Sequence, residues 1–182
     1  MKRKCTFMNE EDYKKRRQKY TPKKIKDIKV IFVLESPPQD NTYFYDPEHG
    51  ETKNLYKAMM KLIKYVPKNK HDGLKRFVDL GFLIVDVCYT PVNGLNNRLR
   101  NEMLMSCESS LKKDLRSLIK DNSTPLILVK APVCRFFEPC LSKCGFNVIN
   151  DGLIIPFPST GHQIEFYNLA SELLKRHKLL PE

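Results

Sequence analysis

Glycine is scarce in this chain, with seven in 182 residues. Neither G-x-x-x-x-G-K-S/T nor G-x-G-x-x-G occurs, and both motifs need glycine so that backbone can close on phosphate. Nucleoside-triphosphate and dinucleotide binding are therefore disfavoured. H-E-x-x-H and G-x-S-x-G are also missing, which removes the anchors of zincin and α/β-hydrolase chemistry. The six cysteines, Cys5, Cys88, Cys107, Cys134, Cys140 and Cys144, include no C-x-x-C pair. The spacing of the last three fits no zinc or iron–sulfur pattern. They read as small buried hydrophobes in a reducing compartment, and neither metal nor cofactor is expected. No run of eighteen apolar residues is present, so no membrane span is expected. The charged N-terminus lacks the apolar stretch of a secretory signal. The expectation is a soluble, cytoplasmic, monomeric protein.

What is present is an ordinary core and an uneven charge. Hydrophobic residues make up 41% and charged residues 29%, a composition that folds rather than stays disordered. The length suits one domain. The net charge is +11. Residues 1–30 hold twelve Lys/Arg against four Asp/Glu, so most of the excess sits there. A basic excess is the footprint of a nucleic-acid binder, because neutralising phosphates releases counterions. The division expected is a basic leader over 1–28 and a folded domain over 29–182. The leader is either an arm that tracks phosphates or a solvated tail, and Pro22 interrupts any long helix in it.

Four apolar runs read as strands: 28-IKVIFVLES-36, 81-GFLIVDVCYTP-91, 125-PLILVKAP-132 and 146-FNVIN-150. Helices are expected over 52–66, 101–120, 133–144 and 164–177. The first has Leu55, Met59, Leu62 and Ile63 on one face. Strands alternating with helices predict an α/β three-layer sandwich around a four-stranded, mostly parallel sheet. Ligands of such sheets bind at the carboxyl ends of the strands. Three proline-framed loops fall there: Glu35-Ser36-Pro37-Pro38, Asp86 through Pro91, and Pro156 through His162. Glu35 and Asp86 end apolar strands, where carboxyl pKa values are readily tuned, although a strand-end acid also serves as a helix cap.

At these loops the chain resembles the uracil-DNA glycosylase superfamily. The run 31-IFVLESPP-38 is similar to a strand ending in G-Q-D-P-Y or G-E-x-P-G, with Leu34 for Gly, Glu35 for Gln or Glu, Ser36 for Asp and Pro37 for Pro. The run beginning 156-PFPSTGHQ-163 is similar to H-P-S-P and the helix after it. There Phe157 stands for His, while Pro158 and Ser159 match. Between them, 83-LIVDVCYTP-91 resembles the strand whose Asn reads the uracil edge, with Asp86 at or next to that position. The stretch 126-LILVKAP-132 resembles the last-but-one strand. The likeness covers residues 29–176.

The resemblance implies a monofunctional DNA glycosylase acting on a base flipped out of single- or double-stranded DNA. Glu35 would be the carboxylate beside the sugar. Asp86 would activate water or read the base edge. One of Tyr43, Phe44 and Tyr45 would stack on the base, alongside Phe157. Ser36 and Ser159 would grip phosphates in loops stiffened by Pro37. His162 would supply the donor that Phe157 lacks, unless it is simply a surface histidine. Ser36 and Phe157 stand where active members carry Asp and His, with a plausible cost of about 10²–10⁴-fold in acid/base catalysis. Two alternatives follow: a DNA-binding protein without catalysis, and an enzyme acting on nucleosides.

Overall fold

In the computed structural model the described residues are 8–40, 42–119 and 121–180. Strands β1 (Val30–Leu34), β2 (Phe82–Asp86) and β3 (Leu126–Leu128) form one parallel sheet in the order β2-β1-β3. Every residue in them is buried, as expected of continuous apolar runs covered on both faces. Helix α1 (Glu10–Gln18) precedes the sheet. Helices α2 (Asn54–Leu62) and α3 (Lys70–Asp79) join β1 to β2, and α4 (Asn97–Ser106) and α5 (Glu108–Leu118) join β2 to β3. Helices α6 (Ala131–Lys143) and α7 (Gln163–Arg176) follow. The two crossovers travel in opposite directions across the sheet, so right-handed connections carry their helices to opposite faces. No helix among the described residues is long and apolar enough to cross a membrane.

The α/β class with a parallel sheet is as expected, but the sheet has three strands rather than four. Segment 146–150 meets the sheet only where Val148 bridges Leu126, and a second bridge joins Ile155 to Val129. Between these bridges the buried side chain of Asn150 takes the place of a backbone ladder. It accepts from Leu128 N–H at 2.7 Å and donates to the carbonyls of Leu128 at 2.9 Å and Leu153 at 3.0 Å. Asn150→Ala leaves the buried Leu128 N–H and the part-buried Leu153 carbonyl without this partner, and leaves the Leu128 carbonyl only the Cys134 thiol. It is expected to cost about 2–4 kcal/mol, at ~1–3 kcal/mol per orphaned group with partial relaxation. Urea unfolding of the variant beside the wild type measures this.

Three further differences have local causes. Helix α3 falls in a stretch with no expected element. Its fully buried apolar residues are only Leu74 and Phe77, with Val78 partly buried beside them, and Gly73 lets it approach α2 so closely that an added Cβ would lie 2.0 Å from the Tyr56 hydroxyl. The helix expected over 101–120 is two helices that meet at Cys107. The basic leader is part of the fold from Asn9 onward. Asn9 and Asp12 form a reciprocal capping box that starts α1, and Tyr13, Arg17 and Tyr20 are buried. Arg16 pairs with Asp46, Arg17 with Asp114, and Lys14 and Lys15 with Glu10 and Glu11. Residues 1–7 of that leader lie outside the described residues.

Candidate active site

The carboxyl ends of all three strands open onto one cleft of about 520 Å³. Glu35, Ser36 and Pro37 enter it from the end of β1, and Asp86 from the end of β2. Lys130 comes from just beyond β3, and Phe157 and Ser159 come from the proline-framed loop before α7. Tyr43 and Phe44 line it from the loop after β1. The three loops singled out in the sequence are therefore brought together in space.

Two expected residues are not in that cleft. Tyr45 is fully buried beside β2, where its hydroxyl accepts from Ile84 N–H at 2.7 Å and donates to Ile84 C=O at 3.3 Å. It occupies the backbone groups of an edge strand, and this structural task leaves it no face for a ligand. His162 begins α7 and lies 3.2 Å from Glu165 on the exposed surface, away from the cleft.

The loops are tied to one another. Ser36 Oγ accepts from Val92 N–H at 3.2 Å, and the Gln39 side chain donates to the Asn93 carbonyl. Both bonds tie the β1 loop to the β2 loop. The aromatic loop is held from below by Lys70, which is almost completely buried and donates to the carbonyls of Tyr43, at 2.9 Å, and His49. Burial pulls the Lys70 ammonium down to about 8. Tyr13 of α1 packs edge-on against Tyr43 with centroids 4.9 Å apart, so the N-terminal helix supports the cleft wall.

Glu35 sits between two cations. One oxygen pairs with Lys130 Nζ, and the other lies 3.6 Å from Arg100 Nε with no hydrogen bond to either atom. Lys130 holds this position with φ +85°, in the left-handed half of the map that favours glycine. Strain of order 1–3 kcal/mol at such a residue persists only where its surroundings fix it, and it gathers at functional sites. Here the Lys130 N–H is fixed by the Ile155 carbonyl at 2.7 Å, and the residue caps α6.

Asp86 has a different environment. The residue is 4% exposed, and its carboxyl has no hydrogen bond or ion pair among the described residues. Burial pushes it up to about 7, with Arg17 pulling down and Asp114 pushing up. Behind it lies a buried cluster. Arg17 donates two bonds of 2.7 Å to Asp114 and one of 2.5 Å to the Tyr89 hydroxyl. The site thus holds one paired carboxylate and one unpaired carboxyl near neutrality, an arrangement suited to dividing acid/base roles.

Sequence reasoning missed Lys130 and Arg100. Lys130 left a signal, as the one cation inside 125-PLILVKAP-132 at a strand end. Arg100 left none, because it lies on an otherwise exposed helix and reaches Glu35 only through the fold. Among the described residues no group of three or more His, Cys, Asp or Glu side chains is placed to hold a metal ion. Comparison with protein-family models, curated proteins and solved structures gives no match.

Proposed function

We propose that the chain is a DNA glycosylase that hydrolyses the N-glycosidic bond of a damaged or deaminated base flipped into the cleft. The observation that carries this reading is the meeting of Glu35, Asp86, Phe157 and Ser159 in one aromatic-walled cleft at the carboxyl edge of the sheet. Its volume of about 520 Å³ has room for a nucleoside. Breaking the bond leaves a cationic sugar and an anionic base, so a carboxylate is needed beside the sugar. Glu35 fills that role. Lys130 pairs with it and orients it, with Arg100 3.6 Å from its other oxygen, and Lys130 offers positive charge to the departing base. The edges and faces of Tyr43, Phe44 and Phe157 confine the flat ring, and the exposed Ser159 faces the side where a phosphate would lie.

One observation favours a free nucleoside as substrate instead. The cleft's nearest cations are already engaged, Lys130 and Arg100 by Glu35 and Lys53 by Asp40 at 2.6 Å. One experiment separates the readings. Purified protein is incubated with oligonucleotides containing uracil, hypoxanthine, xanthine or alkylated bases, and in parallel with the matching nucleosides. Alkali-labile sites in at least one oligonucleotide are expected, with Glu35→Gln slower by about 10²–10⁴-fold. Release of base from nucleosides alone moves the assignment to the second reading, and no release from either discards both.

A further inference from the structure

Five cysteines lie among the described residues, and all are free. Cys134 and Cys140 donate to the carbonyls of Leu128 and Phe137, at 3.3 and 3.5 Å. Cys88 and Cys107 differ, because their thiols are in hydrogen-bond contact with each other. They come from separate elements. Cys88 lies in the loop after β2, two places beyond Asp86, and Cys107 is the joint where α4 ends and α5 begins. Cys88 is 2% exposed and Cys107 is half-buried. Both border a cavity of about 80 Å³ whose lining includes the exposed Ser106 and Ser110, so a small oxidant reaches it from solvent.

We propose that Cys88 and Cys107 form a reversible redox switch, in which a peroxide joins them in a disulfide that draws the β2 loop to the α4–α5 joint and disables the cleft. The Cys107 sulfur takes one oxygen of the peroxide and becomes a sulfenic acid, while the other oxygen leaves as water with the thiol proton. Cys88 then attacks that sulfur. The S–S bond forms as the S–O bond breaks, and the hydroxyl leaves as a second water with the Cys88 proton. Two thiols are oxidised and one peroxide is reduced. An added dithiol reverses the step by thiol–disulfide exchange.

The bond matters because of what its two ends hold. Cys88 N–H donates to the Glu35 carbonyl at 3.1 Å, so it helps to place the end of β1. Cys107 ends the helix that carries Arg100, 3.6 Å from Glu35 Oε1, and starts the helix that carries Asp114, which pushes Asp86 up. A sulfur–sulfur bond is about 2.05 Å, shorter than any hydrogen bond. Making it pulls loop and joint together and disturbs the surroundings of both carboxyls at once.

Those surroundings also set how readily the switch trips. Burial, then the contact with Cys88, pushes the Cys107 thiol up to about 12, and Glu10 pushes in the same direction. The other titratable groups facing the cavity are Lys14 of α1, Asp86, Tyr89 and Asp114. Only the thiolate attacks a peroxide. A brief pulse of oxidant therefore leaves the pair reduced, and sustained exposure closes it.

The loss of activity rests on the glycosylase reading, whereas the bond does not. The protein is held in hydrogen peroxide for hours at pH 7 to 10, remaining thiols are alkylated, and the digest is mapped by mass spectrometry. The Cys88 and Cys107 peptides should appear joined and should separate in dithiothreitol. Joining should speed up about tenfold per pH unit without levelling, as the thiolate fraction does. Base release from the oligonucleotides should fall about 10²-fold, the cost of a misplacement of about 1 Å, and return with dithiothreitol. Cys107→Ser, and separately Cys88→Ala, should release base at the wild-type rate and keep that rate after peroxide. Two thiols that stay open to alkylation, or a disulfide that uses another cysteine, overturn the proposal. So does a joined protein that releases base undiminished. If the reduced wild type releases no base, the glycosylase reading fails by itself. Crystal structures of the reduced and oxidised protein then decide the switch, by whether Glu35 moves relative to Arg100.

Discussion

Asp86→Asn is expected to stabilise the protein at pH 8 by about 2–4 kcal/mol and to change stability little at pH 4. The sign follows from proton linkage. An exposed aspartate in the unfolded chain releases its proton near 3.8, whereas buried Asp86 keeps it to about 7. Between those values the folded state binds one more proton than the unfolded state, so stability falls as pH rises. Below the window both states are protonated and the loss vanishes. Across it, some three pH units at ~1.4 kcal/mol each make about 4 kcal/mol an upper bound. Asparagine is neutral throughout and close in shape, so it removes the slope while bringing a modest unmet amide of its own. Urea unfolding at pH 4, 6 and 8 tests this, and a gain of equal size at every pH would show that the carboxyl is not buried with a raised pKa.

A stabilising substitution at the most enclosed carboxyl of the cleft is a sign of function, because evolution retains such costs where activity needs them. Three costs coincide within this site: the ionisable Asp86 without a partner, Lys130 at φ +85°, and the Tyr43 hydroxyl without a bond. Asn150, Lys70 and Asp114 are buried polar residues that have partners, while Arg17 Nε and Asn101 Oδ1 outside the cleft have none. The meeting of those three costs in one cleft is the pattern expected when a scaffold carries a preset site, although positive φ is also taken at Lys64, Asp151 and Lys178 outside it.

What could be read in the sequence was governed by burial on both sides. Strand β1 is apolar at every position and β2 at all but its last, Asp86, so their identity and their polar ends were plain, and Glu35 and Asp86 came with them. The fourth strand was not legible because 146-FNVIN-150 has a strand's composition, while the decision against a ladder is made by one side chain, Asn150, reaching Leu128. The triplet Tyr43, Phe44 and Tyr45 was legible as aromatic, but nothing local says which ring faces the cleft. Tyr45 is withdrawn by the unpaired edge of β2, a feature that exists only after folding. Helix α3 escaped notice because Gly73 reads as a helix breaker in isolation and as a close-packing device against Tyr56 in the fold. The charge of the leader was visible, yet its direction was not. Arg16 and Arg17 belong to a sequence run that looks solvated, while their partners Asp46 and Asp114 lie far along the chain.

Arg17→Met should therefore be among the most damaging single changes in the chain, costing about 3–5 kcal/mol. Arg17 and Asp114 are both about 95% buried and joined by two bonds of 2.7 Å, and Tyr89 bonds to each. Removing one member of such a pair leaves the other charge buried and alone, which is the expensive outcome, whereas replacing both by apolar groups is often close to neutral. Arg17→Met combined with Asp114→Leu should accordingly recover most of the loss, apart from what the Tyr89 hydroxyl forfeits. A phosphate-tracking arm predicts the reverse, with Arg17→Met leaving urea unfolding unchanged and weakening only DNA binding. The cluster also reaches the site. Arg17 is the charge that holds Asp86 down, so its loss alone should carry the pH at which Asp86 ionises upward, and with it the upper end of the window over which stability falls. In the double variant Asp114, which pushes Asp86 up, is gone too, and that window should move back toward its original place. Stability and pH profile measured on the same three proteins thus separate a helix that merely holds the domain together from one that also tunes its carboxyl.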